Sequence, residues 1–491
     1  MTMIRRLLTT VAMLGALCAP ALARDTITLG MVLEPPTLDP TAGAAAAIDE
    51  ITYSNLFEGL TKFGPDGSIQ PGLAERWDVT EGGRVYDFHL RAGVKFHDGA
   101  DFAADDVVFS LDRARAEGSV NAQKALFEGI ETVTAVSPTQ VRVTLKSPDG
   151  AFPFKMAWGD AVIVDPASAD GNATRPVGTG PFAFQDWRQG DRVTIAAFPG
   201  YWGARPELAQ ATFRFIADPT AAFAAMMAED VDAFPNYPAP ETLDVLKADP
   251  RFKVIVGTTE GETMLSINNA KAPLDDVRVR KAIALALDRQ EIIEGAMFGY
   301  GTPIGSHTPP HSPDYVDETA KSPHDPEQAK ALLKEAGVSD LRLRLALPPP
   351  PYARRGGEIV AAELRAVGIE TEITNMEWAQ WLETVFNGGD FDLTIISHVE
   401  PMDLDIYARP DYYIHYAKPD YVALMDKLKA AVDPAERSAL VKQAQAALAD
   451  DYVVAWLFQL AKTGVANAKI EGLWENSPTP ANDLTAVRWT D

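Results

Sequence analysis

The sequence predicts an α/β protein whose second half is layered, with parallel strands covered by helices. Three successive segments carry this prediction: an alternating strand at Leu341–Leu347, a helix at Glu358–Ala366 and a second strand at Ile369–Ile373. Strands that alternate with helices in this way belong to sheets with helical layers. The composition agrees, because 46% hydrophobic and 23% charged residues are typical of globular domains rather than of disordered or fibrous chains.

The first half is predicted to consist of strands and helices separated by Pro and Gly turns. Its strands alternate with period two, and its helices place apolar residues at helical spacing. In chain order we expect a strand at Thr26–Val32, a helix at Ile48–Leu60, hairpin strands at Ala74–Val79 and Val85–Leu90, a helix at Ala104–Arg115 and a strand at Val141–Leu145.

The remainder of the second half is predicted to be mainly helical. Pro348–Pro351 should form an irregular loop, because prolines offer no backbone donor. No long Gly/Ser or charged linker separates the halves, so short crossovers should join them. The other expected elements are helices at Val277–Leu287, Glu327–Ala336, Val422–Ala430 and Ala435–Ala449 and a buried strand at Phe391–Ile396.

The first 23 residues are predicted to be a cleaved secretory signal peptide. A basic start is followed by the apolar run Leu7–Leu17, and Ala21 and Ala23 place small residues before a cleavage point at Arg24. The apolar run is too short for a transmembrane anchor. A lipoprotein anchor at Cys18 is disfavoured because a bulky leucine precedes it. We therefore expect an exported protein located in the periplasm.

Charge and cysteine content exclude several classes of function. The chain has 44 Lys and Arg against 69 Asp and Glu, a net charge of −25, which repels nucleic acid and anionic lipid. Cys18 is the only cysteine and would leave with the signal peptide. Without it the chain has no thiol nucleophile, Cys-ligated metal or iron–sulfur cluster.

Motifs of common enzymes are missing from the sequence. There is no G-x-S-x-G elbow, H-E-x-x-H helix, Walker loop or dinucleotide fingerprint. The glycines of Gly178–Pro181 fit a tight structural turn better than a phosphate-binding loop. His307 and His311 are separated by two prolines that prevent a helix, so we expect a solvated loop there, with a metal site as the alternative.

Acidic and aromatic residues concentrate near position 400. Glu400, Asp403 and Asp405 could form a carboxylate pair or a hard-cation site, but no companion nucleophile or calcium loop accompanies them. Most aromatic residues belong to protein cores. Aromatic faces beside carboxylates nevertheless suit a concave site for a small polar molecule. The aromatic residues are Trp378, Trp381, Tyr407, Tyr412, Tyr413 and Tyr416.

Several motifs along the chain are those of one known family. Together they resemble the extracellular solute-binding proteins of peptide ABC transporters, family 5, over essentially the whole mature chain. The matching segments are Pro36–Pro40, Asn55–Leu60, Pro71–Trp77, Phe96–Gly99, Phe102–Val107, Gly178–Phe182, Gly200–Gly203 and Val277–Ile283.

The resemblance implies a two-lobed periplasmic-binding-protein fold with an extra N-terminal subdomain and a hinge between the lobes. The ligand would be buried between the lobes and would stabilise the closed state. We expect a first lobe over residues 24–257, including the extra subdomain near 49–178. A second lobe would span 258–461, and residues 462–491 would return to the first lobe.

The implied function is that of the substrate-binding component of an ABC importer. A monomer would deliver a short peptide or amino-acid-like conjugate to a permease and ATPase complex at the inner membrane. No cofactor, resident metal, nucleic acid or catalytic residue is expected. In the alternative interpretation the same scaffold binds an oligosaccharide, opine, metal chelate, haem or aromatic compound. A third hypothesis is an exported hydrolase that uses Glu400 and Asp403 as an acid–base pair.

The resemblance also implies ligand-contacting residues in both lobes. Backbone at Ala42, Gly43 and Ala44 would run beside the ligand, with Gly43 allowing close approach. Arg354 or Arg355, following Tyr352, would bind a ligand carboxylate through a guanidinium fork, unless both are solvated surface charges. The complete expected set is Ala42, Gly43, Ala44, Tyr352, Arg354, Arg355, Trp378, Ser397, His398, Glu400 and Asp403.

The amine-binding segment departs from the pattern of peptide binders. The family usually has Trp, two residues, Asp and then a Pro-containing turn ending in an aromatic residue. In one register Ser397 replaces the Trp and Glu400 replaces the Asp. In the other, Ser397 occupies the Asp position and Asp403 substitutes from a different place. We prefer the first register, because it keeps Asp403, Asp405 and Tyr407 in phase, but either way the usual amine signature is missing.

Overall fold

A computed structural model describes residues 24–400 and 402–490 of the chain. The predicted export signal and Cys18 lie outside the described residues. Within the described ranges, no helix combines the length and the apolar character needed to cross a membrane.

Strands form the framework of the described chain. In chain order they are β1 (Thr26–Met31), β2 (Thr61–Phe63), β3 (Ile69–Pro71), β4 (Ala74–Thr80), β5 (Val85–Leu90), β6 (Ile130–Ser137), β7 (Gln140–Leu145), β8 (Phe182–Arg188), β9 (Arg192–Ala197), β10 (Gln210–Phe215), β11 (Ala233–Phe234), β12 (Phe252–Ile267), β13 (Gly301–Pro303), β14 (Leu341–Leu347), β15 (Ile369–Asn375), β16 (Leu393–His398), β17 (Val454–Asn467), β18 (Ile470–Glu471) and β19 (Arg488–Trp489).

Helices pack against these strands, most of them in the second half of the chain. They are α1 (Ala46–Thr52), α2 (Ala104–Arg115), α3 (Phe152–Lys155), α4 (Pro219–Met227), α5 (Leu243–Ala248), α6 (Val277–Ala286), α7 (Arg289–Met297), α8 (Pro326–Glu335), α9 (Pro351–Ala366), α10 (Trp378–Trp381), α11 (Pro419–Ala430) and α12 (Pro434–Asp450).

Two long strands, β12 and β17, lie in the middle of an eleven-stranded mixed sheet and connect its two ends. The order is β15-β14-β16-β12-β17-β11-β1-β10-β9-β8, with β13 also pairing with β17. β12 and β17 pair antiparallel over almost their full lengths. Their register shifts between Thr258 and Glu262 and again between Thr263 and Met264. Such irregularities bend a strand and re-aim its side chains.

The molecule has two lobes, on either side of these irregularities. The first lobe contains β1 and β8–β11, and its core includes Leu29, Phe182 and Phe213. The second lobe contains β13–β16 with α6–α12, and one of its cores includes Leu345 and Leu393. Here β14 runs parallel to both β15 and β16, so the layered strand–helix–strand prediction is confirmed.

An extra subdomain is inserted into the first lobe. The predicted hairpin forms, as β4 and β5 pair antiparallel and join β7 and β6 in a separate four-stranded sheet. This sheet packs on α2, with Phe88, Val107 and Val143 in a common core. The subdomain also touches the second lobe directly, since Gly150 N donates to Lys429 O at 3.0 Å. A Cβ atom at Gly150 would lie only 1.8 Å from the Ala431 carbonyl oxygen.

The C-terminal segment packs on the first lobe. Ile470, Leu484 and Val487 are buried in the same core as β1. The buried Asn55 side chain donates to Asn482 O at 2.8 Å and accepts from Leu484 N at 3.0 Å. These contacts join residues that are more than 420 positions apart in the chain.

Three helices begin with an Asp-Pro pair. Asp218, Asp325 and Asp433 each accept a hydrogen bond from a backbone N–H of the first turn. Proline follows in each case, where its missing N–H has no helical partner to lose. The helices predicted from Glu327 and Ala435 therefore begin one residue earlier.

Two local predictions are wrong. The helix expected over Ile48–Leu60 ends at Thr52, because Ser54 adopts a φ of 57° and the Asn55 side chain donates to Ile51 O. The irregular loop expected at Pro348–Pro351 ends one residue early, since Pro351 is the first residue of α9. The missing donor is no obstacle at that position of a helix.

Arg280 in α6 provides a test of what holds the second lobe together. Its buried guanidinium donates to the carbonyl oxygens of Leu274, Asp275, Asp451 and Tyr452. We expect Arg280→Met to lower the free energy of unfolding by about 3 kcal/mol, because several carbonyls lose their donors.

Urea unfolding of the ligand-free protein measures this change. Arg278→Met is the matched control in the same helix, where the side chain is 40% exposed and pairs with Asp276. Its loss of stability should be clearly smaller. Equal losses for the two variants would contradict the role assigned to Arg280.

Candidate functional site

A cavity of 430 Å³ lies between the extra subdomain and the second lobe. Its first wall is mainly apolar and comes from the subdomain side, through Phe63, Ile69, Trp77 and Phe154. Its opposite wall is acidic and comes from the second lobe. Volumes of this size suit small-molecule ligands, which such cavities bury between apolar faces and a few oriented polar groups.

Strand β12 places two glutamates on the acidic wall. Glu260 lies within the register shift and Glu262 directly after it, and both line the cavity. Glu262 is only 3% exposed. Burial raises the pKa of Glu262 well above its ordinary value, and the neighbouring Glu260 and Asp403 charges add to the effect.

His311 partners the first of these glutamates. Its Nε2 atom lies 2.8 Å from Glu260 Oε1, and its Nδ1 atom lies 2.7 Å from Thr258 Oγ1. Burial raises the pKa of Glu260, and the hydrogen bond from His311 opposes this rise. The pair therefore joins the loop after β13 to the irregular part of β12.

Asp403 is the carboxylate of this wall whose ionised form its neighbours stabilise most. His307 Nε2 donates to Asp403 Oδ1, and Tyr407 Oη lies 3.0 Å from His307 Nδ1. Burial alone would raise the pKa of Asp403, but the charge and hydrogen bond of His307, with a further contribution from His398, hold it below its ordinary value. Asp403 is thus an ionised acceptor at neutral pH.

His398 ends strand β16 beside these acids. It is the cross-strand neighbour of Glu262, so both side chains belong to one face of the sheet. Its Nε2 atom lies 3.0 Å from Tyr413 Oη. Burial lowers the pKa of His398, which keeps the imidazole neutral at physiological pH.

Positive charge is scarce among the described residues of the cavity. Arg437 is the one Arg or Lys that lines it there. Its guanidinium donates to the carbonyl oxygens of Leu428 and Ala431 and, among the described residues, forms no ion pair with the acids of this wall. The three acids of this wall therefore have histidines, and no Arg or Lys, as their neighbours among the described lining residues.

The arrangement brings together three of the expected site residues. Asp403 lines the cavity, and donor atoms of His398, Glu400 and Asp403 lie within 4.8 Å of one another. These residues come from the end of β16 and the turn that follows. Carboxylates and a neutral imidazole can together accept hydrogen bonds from an ammonium group or coordinate a cation.

Arg354 and Arg355 lie outside the lining of this cavity. Both are in α9 rather than in a loop. Arg354 pairs with Glu377 at 2.9 Å, and Arg355 stacks over the Phe298 ring at 5.2 Å. Tyr352 packs against the core of the second lobe.

The other expected residues are also outside the lining. Trp378 is 43% exposed and meets Trp381 edge-on. Ser397 lies on β16, where its Oγ atom is buried without a hydrogen-bond partner. The segment Ala42–Ala44 lies at the end of a short 3₁₀ turn, and a Cβ at Gly43 would meet Ile48.

The sequence-based prediction of the site did not include half of the acidic wall. The solvated loop expected around His307 and His311 is wrong, because both imidazoles are almost fully buried. Glu260 and Glu262 were not singled out at all. One signal was available in the sequence, since Glu260-Gly261-Glu262 places two charges and a glycine inside an otherwise strand-like run.

The chain is similar to known proteins of one family. The sequence pattern of bacterial extracellular solute-binding proteins, family 5 Middle, matches residues 68–418. The dipeptide-binding protein of Escherichia coli K12 is 34% identical over 65% of this chain and 66% of its own length. That alignment therefore spans just under two thirds of the relative. Di/tripeptide-binding protein 4 of Pseudomonas aeruginosa UCBPP-PA14 is 31% identical over 88% of this chain and 89% of its own.

A solved structure shows the same fold. HbpA2 from Haemophilus parasuis superimposes with a TM-score of 0.86 and 23% sequence identity. The match covers 95% of this chain and all of the other. At this level of identity the likeness concerns the two-lobed architecture.

Replacement of Glu262 tests whether its carboxyl is a source of instability in the ligand-free protein. Because the folded-state pKa is raised, folding favours the protonated form, and this contribution is lost as pH rises above the ordinary glutamate pKa of about 4.3. We expect Glu262→Gln to raise the melting temperature at pH 7.5, with a smaller gain at pH 4.

Differential scanning calorimetry of both proteins at the two pH values measures the difference. Glu377→Gln is a suitable control, because that side chain is 80% exposed. If the Glu262→Gln variant is less stable than the parent at pH 7.5, the surroundings of Glu262 in the folded protein already stabilise its carboxylate, and the prediction is wrong.

Proposed function

Because the chain belongs to the bacterial extracellular solute-binding proteins of family 5, we propose that it is the substrate-binding component of an ABC importer. It would capture a small solute between its two lobes and present the closed form to a permease and ATPase complex. We place it in the periplasm as a monomer without catalytic activity. The relatives described above are named as binding proteins, which supports transport rather than hydrolysis.

The observation that carries the proposal is the asymmetry of the 430 Å³ cavity. One wall is acidic through Glu260, Glu262 and Asp403, and the other is apolar through residues such as Phe63 and Trp77. A ligand matching both walls has a cationic group at one end and an apolar body. The free amino end of a short peptide or an amino-acid-like conjugate has this form.

Asp403 is the proposed partner of the ligand ammonium group. It is ionised, only 13% exposed and held in place by His307. An ammonium group held by a fixed carboxylate forms charge-assisted hydrogen bonds that are stronger than neutral ones. Glu400 and His398 would lie beside the same group, so both registers of the amine-binding segment place an acid near it.

The hinge is proposed to be the irregular part of β12 with the facing part of β17. Residues 24–257 and 258–461 would then move as the two lobes, and residues 462–491 would stay with the first. A ligand that contacts both walls binds the closed form better and shifts the population towards it. The roles of Ala42, Gly43, Ala44, Tyr352, Arg354, Arg355, Trp378 and Ser397 stay predictions.

Short peptides should stabilise the protein against heat. We expect at least one member of a panel of di- and tripeptides to raise the melting temperature in a dose-dependent manner, by mass action on the folded state. Differential scanning fluorimetry measures the shift. N-acetylated versions of the same peptides are the control, and they should lose most of the effect because they cannot present an ammonium group. Equal shifts for free and acetylated peptides would contradict the role of the acidic wall.

Asp403→Asn should weaken binding of the stabilising peptide at least tenfold, because it removes a largely desolvated charge that would face the ammonium group. Isothermal titration calorimetry measures the dissociation constant. Asp405→Asn is a matched control two positions away, where the side chain is 55% exposed and pairs with Arg409. It should bind as the parent does. A normal affinity for Asp403→Asn would exclude Asp403 from the site.

Closure is measured separately by small-angle X-ray scattering. The radius of gyration should fall when the stabilising peptide is added at saturating concentration. An unchanged envelope with every stabilising peptide would contradict the proposed mechanism of transport.

A further inference from the structure

A second, smaller cavity lies in the first lobe, at the carboxyl ends of β1 and β11. It is lined by the residues that end these strands, by one face of α1 and by Asn482 of the C-terminal segment. The two strands run parallel, and the carboxyl ends of parallel strands are a common position for ligands in α/β sheets. Its volume of 80 Å³ leaves room for the head group of a side chain but not for a whole peptide.

Glu50 is the acid of this first-lobe cavity. It lies on α1 and is partly exposed. Asn236 Nδ2 donates to Glu50 Oε1 at 2.9 Å. A carboxylate can accept about four hydrogen bonds, and Asn236 occupies one of these positions. Burial raises the pKa of Glu50, and the hydrogen bond from Asn236 and the charge of Lys462 oppose the rise. A cationic group in the cavity would favour the ionised carboxylate further.

Lys462 does not supply that group. It is 4% exposed, and its Nζ atom donates to Trp474 O at 2.8 Å and to Asn476 O at 3.4 Å. Its ammonium group is thus held by carbonyl oxygens of the C-terminal segment. The carboxylate of Glu50 is therefore available to a cation that enters the cavity.

Asn482 supplies an independent indication that a hydrogen-bond donor belongs here. It is 5% exposed, and its Oδ1 atom is buried without a hydrogen-bond partner. Its Nδ2 atom donates to Glu50 O at 3.1 Å. This bond fixes the orientation of the amide, because the reverse orientation would place Oδ1 against the Glu50 carbonyl oxygen. A buried acceptor without a donor is costly, and an N–H group of a ligand would satisfy it.

The rest of the cavity surface is mainly apolar. Leu33 follows β1 and is 64% exposed. Ala46 lies one turn before Glu50 on the same face of α1. Apolar surface beside a fixed carboxylate suits a side chain of the lysine or arginine type, whose methylene stem packs on apolar groups while its charged head is hydrogen-bonded.

We propose that Glu50, Asn236 and Asn482 form a binding site for an ammonium or guanidinium group on a short aliphatic stem. This inference rests on the proposed function, because the group would be the basic side chain of the imported peptide. Pro478 lines the 430 Å³ cavity and Asn482 lines the first-lobe cavity. Four residues of chain span at most about 14 Å, so one extended solute can reach both the acidic wall and Glu50.

Two dipeptides that differ in one charge test the preference for a basic side chain. Isothermal titration calorimetry should show that alanyl-arginine binds more tightly than alanyl-norleucine, by roughly tenfold or more. Glu50→Gln should bring the two affinities together, because glutamine can keep the bond from Asn236 and removes only the charge. Glu241→Gln, at an exposed position of the same lobe outside the cavity lining, should retain the preference.

The free head group tests the site without a peptide. The side-chain amide of Asn236 is followed by nuclear magnetic resonance after selective ¹⁵N-asparagine labelling, with its signal assigned from an Asn236→Ser variant. Methylguanidinium chloride should shift this signal in the parent and leave it in place in Glu50→Gln. Reading one residue beside Glu50 separates this binding from any binding at the acidic wall.

The outcomes separate this inference from the proposed function. Equal affinities for the two dipeptides with no shift of Asn236 would overturn the first-lobe site, and the proposed function would then stand alone. A preference for alanyl-arginine that persists in Glu50→Gln would overturn it as well. A shift of Asn236 without any dipeptide preference would assign the site to a separate small amine and overturn its role in holding the cargo. If no peptide binds but Asn236 shifts, the site stands and the proposed function fails.

Discussion

The pairing of β12 with β17 is the constraint on which the rest of the molecule depends. These two strands run through both lobes, so each lobe is built outwards from a common pair. Their register is interrupted between Thr258 and Glu262, where the ladder is weakest and easiest to bend. The same interruption carries Glu260 and Glu262 into the cavity. The proposed hinge and two of the proposed ligand-facing acids therefore lie in one short segment.

Buried negative charge is the second organising feature. Glu260, Glu262 and Asp403 occupy one wall, and histidines rather than arginines or lysines accompany them. Such a wall costs folding free energy in the absence of a cation, because a desolvated carboxylate must be protonated or paired. Natural proteins retain costs of this kind mainly where function requires them.

Much of the architecture was predictable from local patterns. The hairpin β4–β5, the helix α2 and the strand–helix–strand unit around α9 follow from the periodicity of apolar residues in the sequence. The prediction of a helix over Ile48–Leu60 was wrong. Apolar residues recur at helical spacing beyond Ser54, but the positive φ of Ser54 does not allow the helix to continue.

The site was harder to predict than the fold. Asp403, His398 and Glu400 are close in sequence, so a local cluster of polar residues revealed them. Glu260 and Glu262 are more than 130 residues away and join them only through the pairing of β12 with β16. His307 and His311 looked like surface residues because prolines surround them, and only tertiary packing buries them. Sequence periodicity carries no information about which distant segments share a wall.

The contact between Gly150 and the second lobe involves backbone rather than the acids of the wall, although Gly150 lines the same cavity. The backbone bond to Lys429 and the absence of a side chain let the two bodies meet closely. A bulkier residue there would disfavour the shut arrangement for every solute alike. Apparent affinity scales with the fraction of molecules already competent to bind. Under the proposed function, the fit between the two bodies at Gly150 would set how readily the protein closes, and the acidic wall would set which solute it prefers.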